Sequence, residues 1–171
     1  MNTEFALTRI TLKPIKHKDC NALWAILSDP LVAQYNDYCV PVTRDAVKQL
    51  IQDDITGMYE GNTLRLGIYL KNTVILIGCV GLYDIEVNSA WLGFELAPDH
   101  WGNGYMSEAL AFIQTNIKTL VTQLGNIAHL DNELNITNLQ AKVAIENTQS
   151  QQLLRRFNFT HVASEHWIYK L

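Results

Sequence analysis

The amino-acid sequence predicts one α+β domain, with a mixed, mostly antiparallel central sheet flanked by helices. The chain has 171 residues, and one domain takes roughly 100–200 residues. Hydrophobic residues make up 48% of the chain and charged residues 18%, which is typical of a globular protein. The apolar spacing alternates between strand and helix periods in the order βααβββαβαββ. Because neither a repeat nor a linker interrupts this order, residues 1–171 are predicted to form a single domain.

The first half of the chain is divided by local signals. Apolar alternation or helical spacing marks each element, and proline or glycine ends it. The turns between the last three strands are too short for a crossover helix, which favours an antiparallel meander. The predicted elements are strand Arg9–Leu12, helix Cys20–Leu27 stopped by Pro30, a helix capped by Thr43 that closes near Gly57 and Gly61, and strands Leu64–Leu70, Val74–Tyr83 and Ala90–Leu96.

The second half contains the one strand–loop–helix–strand crossover. After Pro98 comes a loop with the sequence HWGNG, followed by a long amphipathic helix that starts at about Tyr105. A polar, turn-rich connection over residues 125–138 then leads to the closing elements, and it is long for such a loop. These elements are strand Leu139–Ile145, helix Thr148–Phe157, and a hairpin of Phe159–Val162 with Trp167–Leu171.

Charge, cysteine and histidine content argue against several classes of function. Thirteen Lys and Arg against seventeen Asp and Glu give a net charge of −4, so an acidic surface disfavours nucleic acid as a partner. Three cysteines without a CxxC pair indicate reduced thiols, as in a cytoplasmic protein. The histidines lack paired ligand spacing, so no metal site is predicted. Neither a signal sequence nor an apolar run of about 18 residues is found, so we expect no membrane association.

The loop before the long helix is the segment most indicative of ligand binding. Gly102 and Gly104 let the backbone turn tightly, and a helix beginning at about Tyr105 offers unpaired N–H groups and the positive end of its dipole. Such a cradle can hold a phosphate or pyrophosphate without a cationic side chain. The spacing fits neither a Rossmann fingerprint nor a P-loop. An ordinary glycine-rich turn is the alternative interpretation.

Four segments, in order and with compatible spacing, extend this signal over most of the chain. They read LTRITLKPIKHKDCNALWAILSDP, LIGCVGLYDIEVNSAWLGFELAP, WGNGYMSEAL and ENTQSQQLLRRFNF. Together they resemble the GNAT superfamily of N-acetyltransferases, in its RimJ/RimL branch. The resemblance implies the GNAT fold, acetyl-CoA as cosubstrate, and acetyl transfer to a primary amine by direct attack in a ternary complex.

The resemblance also implies which groups hold acetyl-CoA. Backbone groups of Phe94 and Leu96 would pair with the pantetheine arm, and amides over residues 102–107 would hold the pyrophosphate. At two positions the chain departs from the family pattern, with Trp101 in place of Gln or Arg and Met106 in place of Gly or Ala. The implied cofactor-binding residues are Phe94, Leu96, Trp101, Gly102, Asn103, Gly104, Tyr105, Met106, Ser107, Asn147 and Ser150.

Glu95 is the candidate general base. It lies in a strand beside Leu92, Phe94 and Leu96, and alternation places it on the face opposite Phe94. Partial burial would raise its pKa towards the operating range, which suits a base acting directly or through a water. The alternative is a structural carboxylate satisfied by backbone donors or by Arg65.

The late helix provides the second candidate catalytic residue. By the resemblance, Ser150 would act as the acid or as a hydrogen-bond donor to the leaving thiolate, since the helix lacks the tyrosine that many relatives use there. The amide of Leu96 would serve the oxyanion. Asn147 and Ser150 are equally consistent with an N-cap and a first-turn serine. Tyr35 and Tyr38 would border the acceptor groove, although turn and packing roles fit them as well.

Expectations for the acceptor and the assembly come from the family branch. A protein N-terminal α-amine follows from the branch, and a polyamine, amino acid or aminoglycoside is the alternative. A non-catalytic acyl-CoA-binding regulatory module and a cofactor-free interaction domain are hypotheses from other classes. By analogy, a homodimer through the C-terminal strands is a further expectation.

Overall fold

The structure is a computed structural model that describes residues 4–36, 41–128 and 134–171. Short 3₁₀ turns at His17–Asp19 and Pro98–His100 accompany the helices and strands. In chain order, these are β1 (Phe5–Ala6), β2 (Ile10–Pro14), α1 (Cys20–Leu27), α2 (Pro30–Ala33), α3 (Arg44–Glu60), β3 (Leu64–Leu70), β4 (Leu76–Tyr83), β5 (Ser89–Leu96), α4 (Tyr105–Ala128), β6 (Asn138–Lys142), α5 (Thr148–Arg156), β7 (Thr160–Ala163) and β8 (His166–Lys170).

The eight strands of the described residues join one sheet in the order β1-β2-β3-β4-β5-β6-β8-β7. Strands β5 and β6 run parallel, and the other neighbouring pairs are antiparallel. The single parallel pair follows from the crossover through α4, because strands joined by a helix can return in the same direction. The predicted α+β class, with a mixed and mostly antiparallel sheet, is confirmed.

Each face of the sheet packs against different helices. Since side chains alternate along a strand, one face carries Leu66, Val80 and Leu92 and packs on α4. The opposite face carries Tyr69 and Cys79 and packs on α1 and α3. Two apolar clusters therefore lie on either side of the sheet, and any group on β5 faces one or the other according to its position.

Some element boundaries differ from the sequence prediction. Pro30 begins a short helix, α2, as well as ending α1, because the Asp29 side chain accepts a hydrogen bond from Leu31 N at 2.9 Å and caps it. Helix α4 continues past Gly125 to Ala128. Strand β1 has no counterpart in the predicted order. None of the described helices is long and apolar enough to cross a membrane.

Strands β5 and β6 stay paired over a short stretch and then diverge. Their register joins Ser89–Trp91 to Asn138–Gln140. In the described part of the chain, β5 from Leu92 to Leu96 is paired with β4 alone. This divergence opens the sheet beside the carboxyl-terminal half of β5.

Candidate active site

A cavity of about 720 Å³ lies at the divergence of β5 and β6. It reaches both faces of the sheet, since Glu95 lines it from the α1–α3 side while Phe94 and Met106 line it from the α4 side. Most of the residues that the sequence analysis singled out meet here. The lining includes Tyr35, Phe94, Glu95, Leu96, Trp101, Gly102, Gly104, Tyr105, Met106, Ser107, Asn147 and Ser150.

Two backbone positions of β5 face the cavity. Ala97 N donates to Ile77 O at 2.8 Å, which fixes the phase of the β4–β5 ladder. Because the residues of an antiparallel ladder alternate between bonding and not bonding the partner strand, the N–H and C=O groups of Phe94 and Leu96 point away from β4. They therefore face the open side of the strand, where β6 has diverged.

The loop before α4 has the geometry expected of an anion cradle. Gly102 has φ 72° and Gly104 has φ 78°, values that favour glycine over residues with a side chain. Helix α4 begins at Tyr105, so the amides of its first turn have no partner within the helix. Glycine conformation and helix start together leave several N–H groups without a helical partner at one place, the beginning of α4.

Side-chain hydrogen bonds from Trp101 and Arg9 hold this cradle in place. The Trp101 indole Nε1 donates to Leu96 O at 2.6 Å. Arg9, between β1 and β2, donates through Nη1 to Asn103 O at 2.7 Å and through Nε to Glu108 Oε2 at 2.9 Å. Burial disfavours the Glu108 charge, but hydrogen bonds from the Arg9 backbone and guanidinium outweigh it, so the pKa of Glu108 lies below its ordinary value.

The structure accounts for Trp101 and Met106, the two departures from the family pattern, and shows one residue that the sequence analysis missed. Met106 is 7% exposed and belongs to the core beneath α4, while Trp101 packs against that core. Asn103 does not line the cavity, and its side-chain amide donates to Trp101 O at 3.0 Å. Arg9 was missed because its contacts lie about 95 residues away along the chain.

Glu95 lies in a buried cluster of charges on the α1–α3 face. Arg65 Nη1 donates to Glu95 Oε1 at 2.9 Å, and Arg65 Nε lies 2.7 Å from Asp54 Oδ2. Burial raises the pKa of Glu95, against the opposing effects of Arg65 and of a hydrogen bond from the Cys79 thiol. Burial likewise raises the pKa of Asp54 to about 6, with Arg65 opposing and Glu95 adding to the rise.

The ring of Tyr83 packs over this cluster, two glycines make room for the ring, and a third makes room for the Glu95 backbone. Arg65 Cζ lies 5.4 Å from the ring centroid. A Cβ atom at Gly81 would come within 2.6 Å of the Tyr83 hydroxyl oxygen, and one at Gly93 within 2.9 Å of the ring. A Cβ at Gly78 would collide with the Glu95 carbonyl oxygen. Backbone and ring can therefore approach closely only without these side chains.

Asn147 and Ser150 lie at the start of α5. Asn147 is the N-cap, and its Oδ1 accepts a hydrogen bond from Ser150 N at 3.1 Å. The capping interpretation of Asn147 therefore holds, and both residues also line the cavity. Tyr35, just after α2, also lines the cavity, whereas Tyr38 lies outside the described residues. Among the described residues, no group of three or more His, Cys, Asp or Glu can hold a metal ion.

Comparison with known sequences identifies related proteins. A family model described as an acetyltransferase (GNAT) domain matches residues 9–160. An uncharacterized N-acetyltransferase of Bacillus licheniformis, p20, is 30% identical over 153 residues, which cover 88% of this chain and 79% of that protein.

Solved structures show the same architecture. RimL, a ribosomal L7/L12 alpha-N-protein acetyltransferase in complex with coenzyme A, matches with a TM-score of 0.77 at 17% identity, over 96% of each chain. An acetyltransferase from Salmonella typhimurium that modifies the N-terminal serine of the 50S ribosomal subunit protein L7/L12 matches with a TM-score of 0.73 at 17% identity, again over 96% of each chain. At these identities the likeness concerns the fold.

Proposed function

The chain belongs to the GNAT family of N-acetyltransferases, and on that premise we propose that it transfers an acetyl group from acetyl-CoA to a protein N-terminal α-amine by direct attack in a ternary complex. One observation carries the proposal: a single cavity is lined by an amide cradle on the α4 side of the sheet and by a buried carboxylate, Glu95, on the other. Acetyl-CoA supplies an acetyl group activated as a thioester.

The residues present suit acetyl-CoA in two respects. The amides at the start of α4, beyond Gly102 and Gly104, offer donors and a helix dipole to a pyrophosphate. The outward N–H and C=O groups of Phe94 can bond an extended amide-bearing chain as an added strand would. The Trp101 bond to Leu96 O leaves the Leu96 amide N–H as our proposed donor to the acetyl oxygen.

Glu95 and Ser150 are the proposed catalytic residues. An amine attacks only when neutral, so an ammonium acceptor must lose a proton, which we assign to the Glu95 carboxylate. The N–C bond then forms as the C–S bond breaks, and the second amine proton ends on the departing thiolate. We place Ser150 as the hydrogen-bond donor to that sulfur, because it lines the cavity in the first turn of α5.

The acceptor class is supported by the relatives of known architecture. RimL is described as an alpha-N-protein acetyltransferase, and an α-amine suits a cavity end bordered by apolar and tyrosine side chains, Leu31, Val32 and Tyr35. A free α-amine has a lower pKa than a lysine side chain, about 8 against about 10.4, so it presents more neutral amine at neutral pH.

Release of free thiol from acetyl-CoA tests this function. The acceptors are peptides with free N-termini, the same peptides blocked at the α-amine, and a panel of polyamines, amino acids and aminoglycosides. We expect acetylation of the free peptides and none of the blocked ones, with the site read by mass spectrometry. Turnover confined to small amines would contradict the α-amine assignment, and coenzyme A binding without any turnover would contradict catalysis.

A further inference from the structure

Three charged side chains form a buried row beneath the cavity. Arg65 lies between Asp54 on α3 and Glu95 on β5, at 2.7 Å from the first and 2.9 Å from the second. The side chains of Asp54, Arg65 and Glu95 are 6%, 3% and 10% exposed. All three line the cavity, so the row forms part of its wall.

The charges in this row do not balance when both carboxylates are ionised. Two carboxylates and one guanidinium then carry a net charge of −1, and binding one proton makes the row neutral. Since low-dielectric surroundings disfavour uncompensated charge, the row has a built-in affinity for one proton. Arg65 cannot release a proton in the ordinary pH range, so that proton goes to a carboxylate.

If the Arg65 guanidinium were paired with Glu95 alone, Glu95 would be a poor base. An arginine beside a carboxylate lowers the carboxylate pKa by roughly 1–3 units. Asp54 offsets this effect in two ways, because it engages the Nε side of the same guanidinium and adds a negative charge that repels the Glu95 charge. Repulsion between the two carboxylates is mutual, so each raises the proton affinity of the other.

We propose that Asp54 is a positioning residue that, through Arg65, keeps Glu95 basic enough to take the proton of the incoming amine. This inference rests on the proposed role of Glu95 as proton acceptor. The proton balance is simple: the ammonium loses one proton, the Asp54–Arg65–Glu95 row gains it, and the net charge of the row changes from −1 to zero. Solvent receives the proton after the product leaves.

Two of the other titratable groups around the row, the Cys79 thiol and the Tyr83 hydroxyl, keep their protons at neutral pH. Burial raises the pKa values of the Cys79 thiol and the Tyr83 hydroxyl on β4 well above their ordinary range. On the β2 side, Asp54 and Arg65 meet Pro14 and Ile15, which carry no charge. From α3 itself, Asp53 adds a weaker negative contribution to Asp54. The remaining titratable groups on the cavity wall are Tyr35, His100, Tyr105, Lys142 and Arg156.

The test compares wild type with Asp54→Asn and with Asp53→Asn, which removes the same charge one residue away on an exposed position. The Glu95 carboxyl is followed by ¹³C NMR across pH, which requires no acetyl transfer. We expect the Glu95 titration to move to lower pH by on the order of one unit in Asp54→Asn and to stay near wild type in Asp53→Asn. The acidic limb of kcat/KM should move in the same direction.

The outcomes of this test distinguish the role of Asp54 from the proposed role of Glu95 as proton acceptor. An unshifted Glu95 resonance in Asp54→Asn would overturn the role of Asp54 while leaving the proposed function intact. A shifted resonance with an unmoved rate profile would show that Glu95 is not the proton acceptor, and both inferences would fail. If Asp54→Asn does not fold, the test is made on the wild-type protein. The carboxyl resonances of Asp54 and Glu95 should then each respond to the titration of the other. Two independent single-step titration curves would overturn the proposal.

Discussion

The loop before α4 and the charged row of Asp54, Arg65 and Glu95 line the same cavity, but the loop acts through main-chain groups and the row through side chains. The cradle consists of main-chain N–H groups, and its shape depends on positive φ at Gly102 and Gly104. The row consists of side chains, and its chemistry depends on the burial of Asp54, Arg65 and Glu95. A backbone site tolerates most side-chain changes but not changes of conformation, whereas a buried charge site tolerates neither loss of a charge nor entry of water.

The largest effect is expected in the row. Glu95→Gln keeps the shape of the side chain but removes the proposed proton acceptor, so kcat should fall by roughly 10²–10⁴. The dissociation constant of coenzyme A, measured by calorimetry, should stay near the wild-type value, because the cradle lies on the other side of the sheet. Undiminished kcat across pH would remove Glu95 from the mechanism.

The matching change in the cradle should show the reverse pattern. Gly104→Ala forces a side chain into φ 78°, at a cost of roughly 1–2 kcal/mol, and its Cβ would lie 3.2 Å from Arg9 Nη2. We expect coenzyme A to bind about tenfold more weakly, with kcat at saturating acetyl-CoA largely kept. Asn103→Ala, in the same loop without positive φ, is the control. Equal affinity in all three proteins would argue against the cradle.

The charged row should also make the free energy of unfolding depend on pH. The pKa of Asp54 is raised to about 6, against about 3.9 in an unfolded chain, so the folded state binds this proton more tightly. The stabilisation is complete below about pH 4 and is lost as pH rises through about 6. Urea unfolding at several pH values should show wild type losing on the order of 1–3 kcal/mol relative to Asp54→Asn over this range. Parallel pH dependences would contradict the assignment.

The smallest effect is expected at the start of α5. Ser150→Ala removes a proposed donor to a thiolate that is already an adequate leaving group near neutral pH. The helix cap survives, because Asn147 accepts from the Ser150 backbone N–H. Activity should fall only a few-fold, about 1 kcal/mol of transition-state stabilisation. A loss as large as that of Glu95→Gln would make Ser150 a full partner in proton transfer and would revise the ranking.

Local signals predicted the elements and the cradle because both depend on short-range chemistry. Thr43 and Gly61 cap α3 as predicted, and the glycine loop turns into α4 at Tyr105. The pairing of Arg9 with Glu108 was not predictable in this way, since it depends on how β2 packs beside α4.

The sequence analysis identified only part of the charged row. Arg65 was considered as a partner of Glu95, but Asp54 was missed. Asp54 lies at helical spacing from Val47 and Ile51, on the buried face of α3. The signal that could have identified Asp54 was therefore a carboxylate at a core position of α3. Its partner, Arg65, is apparent only from the structure, in which β3 brings Arg65 next to α3.

Backbone amide NMR during titration with coenzyme A tests the central claim most directly. If the start of α4 and the open edge of β5 hold the cosubstrate, the largest shift changes should fall on the amides of residues 102–107 and on those of Phe94 and Leu96. The amides of β7, at the far edge of the sheet, should stay unchanged. Changes centred elsewhere, or none at millimolar coenzyme A, would contradict the account.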